Sequence, residues 1–324
     1  MAETQLDLTS SVGAAWPPQR ASNNRIRGFF DHVVCDRSDA IDFVAIFERE
    51  RVIAEQDADA DRLSIRVITT GTAMKVLDGL IEVEGAMPLR GEDGLHVTYA
   101  AWNHCDRSTA QATLIHHRHF LENIASMQRA IDFVPVDGIF SPVQLIDSRT
   151  TDTERLALSE KFSELYGAFG YSERDVQDLL LNSANTIAYI ELGGAVVSTA
   201  MAEHATVQAQ DKSVRLAEIT EAFTLPDYRG RGLYQAVSQY LVSQLSLGDL
   251  DAVYGESNLA SPGVVVAAHK NGRQFSCLER ERLGIQNPNF GILQQNFHVA
   301  DGVETRRYND FALSYFDLSS RGVR

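Results

Sequence analysis

Apolar residues recur along the chain with two different periods, and the changes of period divide it into helices and strands. Apolar spacing of three and four residues predicts helices over 40–56, 72–87, 108–131, 153–169, 172–182, 233–245 and 262–272. β-rich runs predict strands over 62–70, 94–102, 141–148, 186–192, 195–205, 215–225 and 251–257, with two more near the end. This order indicates an α/β (α+β) protein in which helices pack against sheets.

Two of these elements make sharper predictions. The predicted helix over 72–87 places Ala73, Val76, Leu77, Leu80 and Ile81 on one apolar face. The runs over 186–192 and 195–205 are separated by Gly193 and Gly194, a two-residue turn of the kind that hairpins prefer.

Chain length and loop signals indicate two domains. The 324 residues suit two cores of roughly 150 residues each. Proline and glycine within 132–148 indicate a boundary near Gly138. We therefore expect a loop-like leader over 1–24, a small α/β domain with a linker helix over 25–137, and a second domain over 138–324.

The segment "LPDYRGRGL" joins a predicted strand to a predicted helix and predicts an anion site. Unpaired N–H groups, the positive end of the helix dipole and two arginines meet there. Gly230 and Gly232 would let the backbone approach a phosphate closely, and the arginines would add charge-assisted hydrogen bonds. The pattern is neither the phosphate loop of triphosphatases nor the dinucleotide fingerprint. A glycine-capped helix start with solvated arginines is the alternative.

The order strand, helix, helix, hairpin, strand, RGRG turn, helix, strand, helix resembles the GNAT family of N-acyltransferases over roughly Ser141 to Leu318. In that family the turn binds the pyrophosphate of acetyl-CoA. The resemblance implies a mixed, mostly antiparallel sheet flanked by helices, acetyl-CoA or another acyl-CoA as co-substrate, and no metal. Within the family, "AEITEAFTLPDYRGRGL" is most similar to the two-domain beta-lysine N-acetyltransferase group, which carries a small α/β domain before the GNAT domain.

The resemblance assigns roles to particular positions. It implies a pyrophosphate turn made of Arg229, Gly230, Arg231, Gly232, Leu233 and Tyr234. It implies backbone contacts to the pantetheine arm and the thioester carbonyl from Phe223, Thr224 and Leu225, and such donors would stabilise an oxyanion. Glu218 is the candidate base and Glu221 the second candidate. Because side chains alternate along a strand, only one of the two can face the acceptor unless a bulge intervenes.

The resemblance is incomplete on the helix over 262–272. Ala268 stands where many members carry the tyrosine that protonates the leaving thiolate, and Val265 stands near the usual asparagine. Water, His269 or Tyr254 could replace that acid. Tyr234 stands where the turn usually ends in glycine or alanine. Glu256, Ser257 and Asn258, where the predicted strand over 251–257 ends, are candidate contacts to the acceptor or the pantetheine arm.

Composition narrows the partners. The formal net charge of −15 opposes binding to nucleic acid or to anionic membranes and suits a small cationic or zwitterionic acceptor. We find no run of the roughly 20 apolar residues that a bilayer span needs, and the first 16 residues do not resemble a secretory signal. We therefore expect a cytoplasmic protein. Its oligomeric state is open, with a homodimer as one option.

Cysteines and histidines give weaker signals. Three distant cysteines, Cys35, Cys105 and Cys277, indicate reduced thiols, and Cys277 is interpreted as a small buried hydrophobe. The segment "HCDRSTAQATLIHHRHF" lacks the paired short spacings of a zinc site, so we expect a solvated or interdomain helix there.

The sequence thus predicts an acyl-CoA-dependent N-acyltransferase, of acetyl groups above all, whose acceptor is the amine of a small amino acid or amine metabolite. Two alternatives stay open. The same fold could use a longer acyl-CoA or a specialised biosynthetic acceptor, or the chain could be a non-catalytic acyl-CoA-binding regulatory protein.

Overall fold

The structure, a computed structural model, describes most of the chain as two β-sheets that pack against each other with helices around them. The described residues are 19–21, 25–57, 60, 62–90, 94–103, 111–127, 142–168, 171–209, 212–245, 249–279, 283, 285, 291–298, 306–316 and 318.

The first sheet has five strands, with two helices among them in the sequence. Its elements are β1 (Gln19–Ala21), β2 (Arg25–Val34), α1 (Arg37–Gln56), β3 (Arg62–Thr70), α2 (Gly71–Asp78), β4 (Glu82–Pro88) and β5 (Leu95–Asn103). The strand order is β1-β2-β3-β5-β4, and β2 and β3 are parallel. Phe43 and Phe47 of α1 and Leu77 of α2 are buried with Ile65 and Val67 of β3. Because strand side chains alternate between faces, β3 presents its next residue, Arg66, to the other side of the sheet.

Residues 72–87 are not one helix, so that prediction was wrong. Helix α2 ends at Asp78, and the rest of the segment contains strand β4, which pairs antiparallel with β5. Pairing buries Val83 completely, whereas Leu80 of the predicted helical face is 53% exposed. Tertiary pairing overrides the local helical spacing here. Strand β1 likewise lies within the segment predicted to be a loop-like leader.

The second sheet has eight strands, of which seven form one path and β12 pairs beside it. The remaining elements are α3 (Gln111–Ala125), β6 (Gln144–Ile146), α4 (Asp152–Gly167), α5 (Glu173–Leu181), β7 (Asn185–Leu192), β8 (Ala195–Ala209), β9 (Lys212–Thr224), α6 (Leu233–Gln244), β10 (Ala252–Asn258), α7 (Pro262–Lys270), β11 (Gln274–Phe275), β12 (Ile292–His298) and β13 (Arg306–Tyr315). The order is β11-β13-β10-β9-β8-β7-β6, and β12 also pairs with β13. Within the described strands of this sheet, β9 and β10 are parallel and the other pairs are antiparallel.

The two sheets share one core. Tyr99 of the first sheet is buried with Leu216 of β9 and Tyr254 of β10. Polar groups also cross, since Ser276 Oγ donates to Ala86 O and accepts from Ala86 N. At Gly85 a Cβ atom would lie 2.8 Å from Cδ2 of Leu313, so a larger residue here would have to displace that side chain. The first sheet therefore forms a wall against the face of β9 and β10.

The mixed α/β architecture with mostly antiparallel sheets and flanking helices agrees with the predicted fold class. The hairpin of β7 and β8 turns at Gly193 and Gly194 as predicted. Ser172 caps α5 through a capping box with Asp175. The predicted boundary near Gly138 lies outside the described residues. Within the described part of the chain, we find no helix long and apolar enough to span a bilayer.

Candidate functional site

The parallel strands β9 and β10 separate after a short ladder. Residues 216–219 of β9 pair with 252–255 of β10. Beyond this ladder β9 continues to Thr224 along β8, whereas β10 continues to Asn258 along β13. The edge of β9 after Ile219 therefore faces a gap in the sheet rather than a neighbouring strand.

A β-bulge lies at the gap. Thr199 of β8 pairs with Phe223 and Met201 pairs with Thr220, so two residues of β9, at 221 and 222, oppose one residue of β8. Glu221 has φ of 45°, a left-handed value that side-chain-bearing residues rarely adopt. Such bulges bend a strand and redirect its side chains. The bulge is the feature that allows Glu218 and Glu221 to escape simple alternation.

The predicted anion turn follows β9. A short 3₁₀ turn, Pro226–Tyr228, leads into Gly230 and Gly232, whose φ values are 73° and 74°. Gly232 is the N-cap of α6 and provides no side-chain cap, so the first N–H groups of the helix keep their positive potential for a ligand. A Cβ at Gly230 would meet nothing within 4 Å, which shows open space beside the turn. This geometry fits an anion.

The two arginines of the turn brace its backbone. Arg229 Nε donates to Thr224 O at 3.1 Å, and Arg231 Nη2 donates to Asp227 O at 2.9 Å. The Arg231 guanidinium also lies over the Tyr228 ring at 5.4 Å from its centre. Both arginines are exposed, so their remaining N–H groups can reach a bound anion.

Other residues predicted to contact the co-substrate point elsewhere. The side chains of Leu225 and Leu233 are buried in the core, and the N–H of Leu225 donates to Val197 O. Phe223 packs edge-on against Tyr166. The carbonyl of Leu225 accepts from the N–H of Tyr228, so both backbone groups of Leu225 are engaged within the protein.

Tyr234 lies in the first turn of α6 and is partly buried against the core. Its hydroxyl accepts a hydrogen bond from Arg273 Nη2 at 3.2 Å. Arg273 is 1% exposed, and its guanidinium lies against Gly255, the last β10 residue paired with β9. The sequence analysis missed Arg273, which sits between the closed end of the gap and the start of α6.

Glu218 lies at the closed end of the gap on the face covered by the first sheet. It is 8% exposed, and its Oε2 accepts from the Tyr254 hydroxyl at 3.0 Å. Arg66 of β3 forms an ion pair with the same oxygen at 3.4 Å and also donates to the Tyr254 hydroxyl. Glu218 thus has the cationic partner that a buried carboxylate needs.

Glu203 of β8 lies directly opposite Glu218 in the antiparallel ladder. Directly opposed residues share a face, with Cβ atoms roughly 5 Å apart. Burial, and next the negative charge of Glu218, raise the pKa of Glu203 to about 7, while Arg27 and Arg66 act in the opposite direction. The sequence analysis missed this residue, because the predicted hairpin sets the register of β7 on β8 and not that of β8 on β9.

Glu221 is held by the segment that precedes α5. The Tyr171 hydroxyl donates to Glu221 Oε2 at 2.8 Å, and burial followed by Glu221 raises the pKa of Tyr171. Glu221 also acts electrostatically on Glu203. The structure therefore brings Glu218 and Glu221 to one group of carboxylates with Glu203.

The end of β10 contributes one charge to this region. Glu256 acts electrostatically on Arg66, Tyr99 and Tyr254, so it belongs to the same charged region. Ser257 is 1% exposed, and Asn258 Oδ1 accepts from the N–H of Ala260 in its own turn.

The first sheet forms a charged wall over these groups. Arg62 forms a buried two-point ion pair with Glu84. The Tyr99 hydroxyl is buried and has no hydrogen-bond partner among the described residues, and its ring lies edge-on to Tyr254. A ligand that enters here meets both carboxylates and guanidinium groups.

Candidate acids for a leaving thiolate differ in their availability. His269 Nε2 lies 3.0 Å from Met127 O and the ring stacks on Phe275, so the imidazole is occupied in the core. Ala268 and Val265 are completely buried. Tyr254 donates to Glu218, and burial raises its pKa despite the opposing effect of Arg66. His269 is thus a poor candidate.

The remaining candidates stay outside this region. His116, His117 and His119 lie on α3, as expected for a helix, whereas His104 and Cys105 are not among the described residues. Over the described part of the chain, no three His, Cys, Asp or Glu side chains are arranged so that they could hold a metal ion together. Cys35 is an exposed free thiol, and Cys277 is free and packs partly buried against the core.

A comparison with known protein families finds no matching family, and a comparison with curated proteins finds no relative. Among solved structures, this chain is similar to a conserved protein of unknown function from Enterococcus faecalis V583, with 19% identity over 36% of this chain and a TM-score of 0.27. The match spans 28% of that protein's length.

The chain is also similar to an N-acetyltransferase from Staphylococcus aureus Mu50, with 10% identity over 55% of this chain and 99% of that one, at a TM-score of 0.37. A ribosomal-protein-alanine N-acetyltransferase from Brucella melitensis gives 12% identity over 54% and 98%, at a TM-score of 0.37. Because these TM-scores are low, the function proposed next rests on this chain's own residues.

Proposed function

We propose that this protein is an acyl-CoA-dependent N-acyltransferase of the GNAT type, which transfers an acyl group, acetyl above all, to the amine of a small amino acid or amine metabolite. One observation carries the proposal. The gap between β9 and β10 leads into a glycine turn at an uncapped helix N-terminus, and the carboxylate group lies beside the closed end of that gap.

The turn suits the pyrophosphate of an acyl-CoA. Its positive helix end, the N–H groups after Gly232 and the outer N–H groups of Arg229 and Arg231 converge on one exposed region. The open space beside Gly230 would let the pyrophosphate approach the backbone. A negatively charged chain binds a polyanion here because the favourable charges are local.

The edge of β9 suits an extended acyl arm. Leu225 N–H points to β8, and neighbouring peptide groups of a strand point to opposite edges, so the peptide groups of Thr224 face the gap. The bond from Arg229 Nε to Thr224 O agrees with this direction. The bulge at 221 and 222 interrupts this alternation, so we assign the contact with the thioester oxygen, where a tetrahedral intermediate develops negative charge, to the N–H of Thr224.

The carboxylates suit a cationic acceptor. Glu203, Glu218 and Glu221 outnumber the nearby Arg27 and Arg66, which leaves a net negative site for an ammonium group. The two arginines would donate hydrogen bonds to the carboxylate of an amino acid. The amine must lose a proton before it attacks the thioester, and a carboxylate is the group that removes it.

Both sheets contribute to this region, and we propose the two-domain beta-lysine N-acetyltransferase group as a functional comparison for this chain. An acceptor with an additional amine, as in that group, fits the surplus of carboxylates. The thiolate would leave without a dedicated acid, because a thiolate is only weakly basic, and it would take up a proton that the nitrogen loses in the reaction.

Binding and turnover test the proposal separately. Calorimetric titration with acetyl-CoA should show binding that Gly230→Ala weakens at least tenfold, because alanine at this φ strains the turn. Gly193→Ala is the matched control, since Gly193 has φ of 63° in the distant hairpin turn and should leave binding unchanged. Equal affinity of both variants would remove the turn from the site.

Release of free CoA, measured with a panel of small amines and amino acids, tests the reaction. Glu218→Gln should lower the rate far more than it weakens acetyl-CoA binding. Binding without release for any amine would favour the regulatory alternative. A faster reaction with longer acyl-CoA thioesters than with acetyl-CoA would favour the alternative donor.

A further inference from the structure

Glu203 differs from the neighbouring carboxylates in what holds it. Glu218 accepts from Tyr254 and pairs with Arg66, and Glu221 accepts from Tyr171. Among the described residues, we find no donor hydrogen-bonded to the carboxylate of Glu203 and no ion pair with it. Its carboxylate lone pairs are open for a proton.

Titratable groups face Glu203 from several elements that pack around it. Glu218 and Glu221 of β9, Arg27 of β2 and Arg66 of β3 act on it. Tyr166 and Tyr171, from α4 and the segment before α5, feel its charge in turn. The two negative neighbours oppose its ionisation, and the two arginines lie on the side of the first sheet.

The ladder places Glu203 one strand away from Glu218, which is held by Tyr254 and Arg66. Neighbouring strands lie roughly 4.8 Å apart, so a ligand held by Glu218 is within reach of Glu203. The Glu218 carboxylate already accepts from Tyr254 and pairs with Arg66, so it is held in place as an anchor for a cation and its oxygens are less available to take a proton.

We propose that Glu203 is the catalytic base, and that Glu218 is a positioning residue that anchors the acceptor ammonium; this inference rests on the proposed function. The Glu203 carboxylate takes one proton from the R–NH₃⁺ acceptor and becomes a carboxylic acid. The amine lone pair attacks the thioester carbon, a C–N bond forms and the C–S bond breaks. The second proton of the nitrogen goes to the CoA thiolate, and Glu203 returns its proton to solvent. The products are the amide, CoA thiol and one proton.

The raised pKa of Glu203 agrees with this role, because a base works best when its pKa lies near the working pH. Its partial exposure gives the proton a route to water.

The test measures kcat/KM against pH by CoA release, with acetyl-CoA and the best amine of the panel. The wild-type rate should rise with pH through an inflection. Glu203→Gln should lower the rate about 100-fold or more and abolish the inflection, with acetyl-CoA affinity unchanged. Glu218→Gln should raise KM and move the inflection to lower pH, because it removes the nearest negative charge from Glu203. Glu164→Gln, an exposed glutamate of α4, is the matched control.

Hydroxylamine separates a lost base from a distorted site, because this nucleophile is largely unprotonated at neutral pH. Glu203→Gln should keep hydroxylamine-dependent CoA release within a few fold of wild type. An unchanged amine rate and pH profile in Glu203→Gln would overturn the inference and leave the proposed function standing. Equal losses with amine and hydroxylamine would overturn it too. A wild-type protein that binds acetyl-CoA but reacts with no amine would overturn both.

Discussion

Arg66 connects the first sheet to the carboxylates of the second, and its removal gives a stability prediction that the structure makes quantitative. Arg66 and Glu218 are each 8% exposed, so Arg66→Met would leave a buried negative charge without its cation. Loss of one member of a buried ion pair costs about 3–5 kcal/mol. We expect the free energy of unfolding to fall by about 3 kcal/mol, because Tyr254 continues to donate to Glu218.

A double-mutant cycle isolates this term. Urea unfolding at pH 7 would give the free energy of unfolding for wild type, Arg66→Met, Glu218→Gln and the double variant. The double variant should be more stable than the sum of the single losses predicts, by about 2 kcal/mol, because it no longer buries an unpaired charge.

Arg174→Met is the matched control, since Arg174 is 90% exposed and lies 3.8 Å from Asp178. It should change stability by less than about 0.5 kcal/mol. Additive losses in the cycle, or an Arg66→Met loss as small as that of Arg174→Met, would refute the reasoning.

Three further predictions concern the same two sheets. Glu203→Gln should flatten the pH dependence of stability. The raised pKa of the Glu203 carboxyl favours folding below its unfolded pKa, and this contribution of roughly 3 kcal/mol disappears as the pH rises through about 7. Urea unfolding at pH 5 and pH 8 would show the effect, and an equal change in the free energy of unfolding between these pH values in wild type and variant would contradict it. Glu84→Gln should cost about 3 kcal/mol, because buried Arg62 loses its partner, and an unchanged melting temperature would argue against a buried pair. Gly230→Ala should lower the free energy of unfolding by about 1–2 kcal/mol, and Gly193→Ala should match it.

Sequence patterns predicted the second sheet well because its signals are local. The turn at Gly193 and Gly194 fixes the hairpin register, and the glycines after Tyr228 adopt the left-handed values that the anion turn requires. Ser172 and Asp175 form their capping box within four residues of chain. Such features depend on neighbours in sequence, so a single chain reveals them.

Features that depend on distant partners were missed. The helical spacing of 72–87 is real, but pairing with β5 makes its second half a strand. Arg66 looked like an ordinary strand residue, and only the packing of two sheets brings it to Glu218. The bulge at Glu221 has no local signature, since it arises where β8 and β9 fall out of register.

The short ladder between β9 and β10 has a mechanical consequence. Four residue pairs are all that join these two strands, yet Arg66 binds Glu218 on one and Tyr254 on the other. The first sheet thus links β9 and β10 to each other through Arg66. Residues outside the second sheet would then control how far the gap between β9 and β10 can widen. In the proposed acyltransferase this width would set the size of the acyl group. For the proposed acyltransferase, substitutions in the first sheet would change the selectivity for the donor without any change in the predicted anion turn.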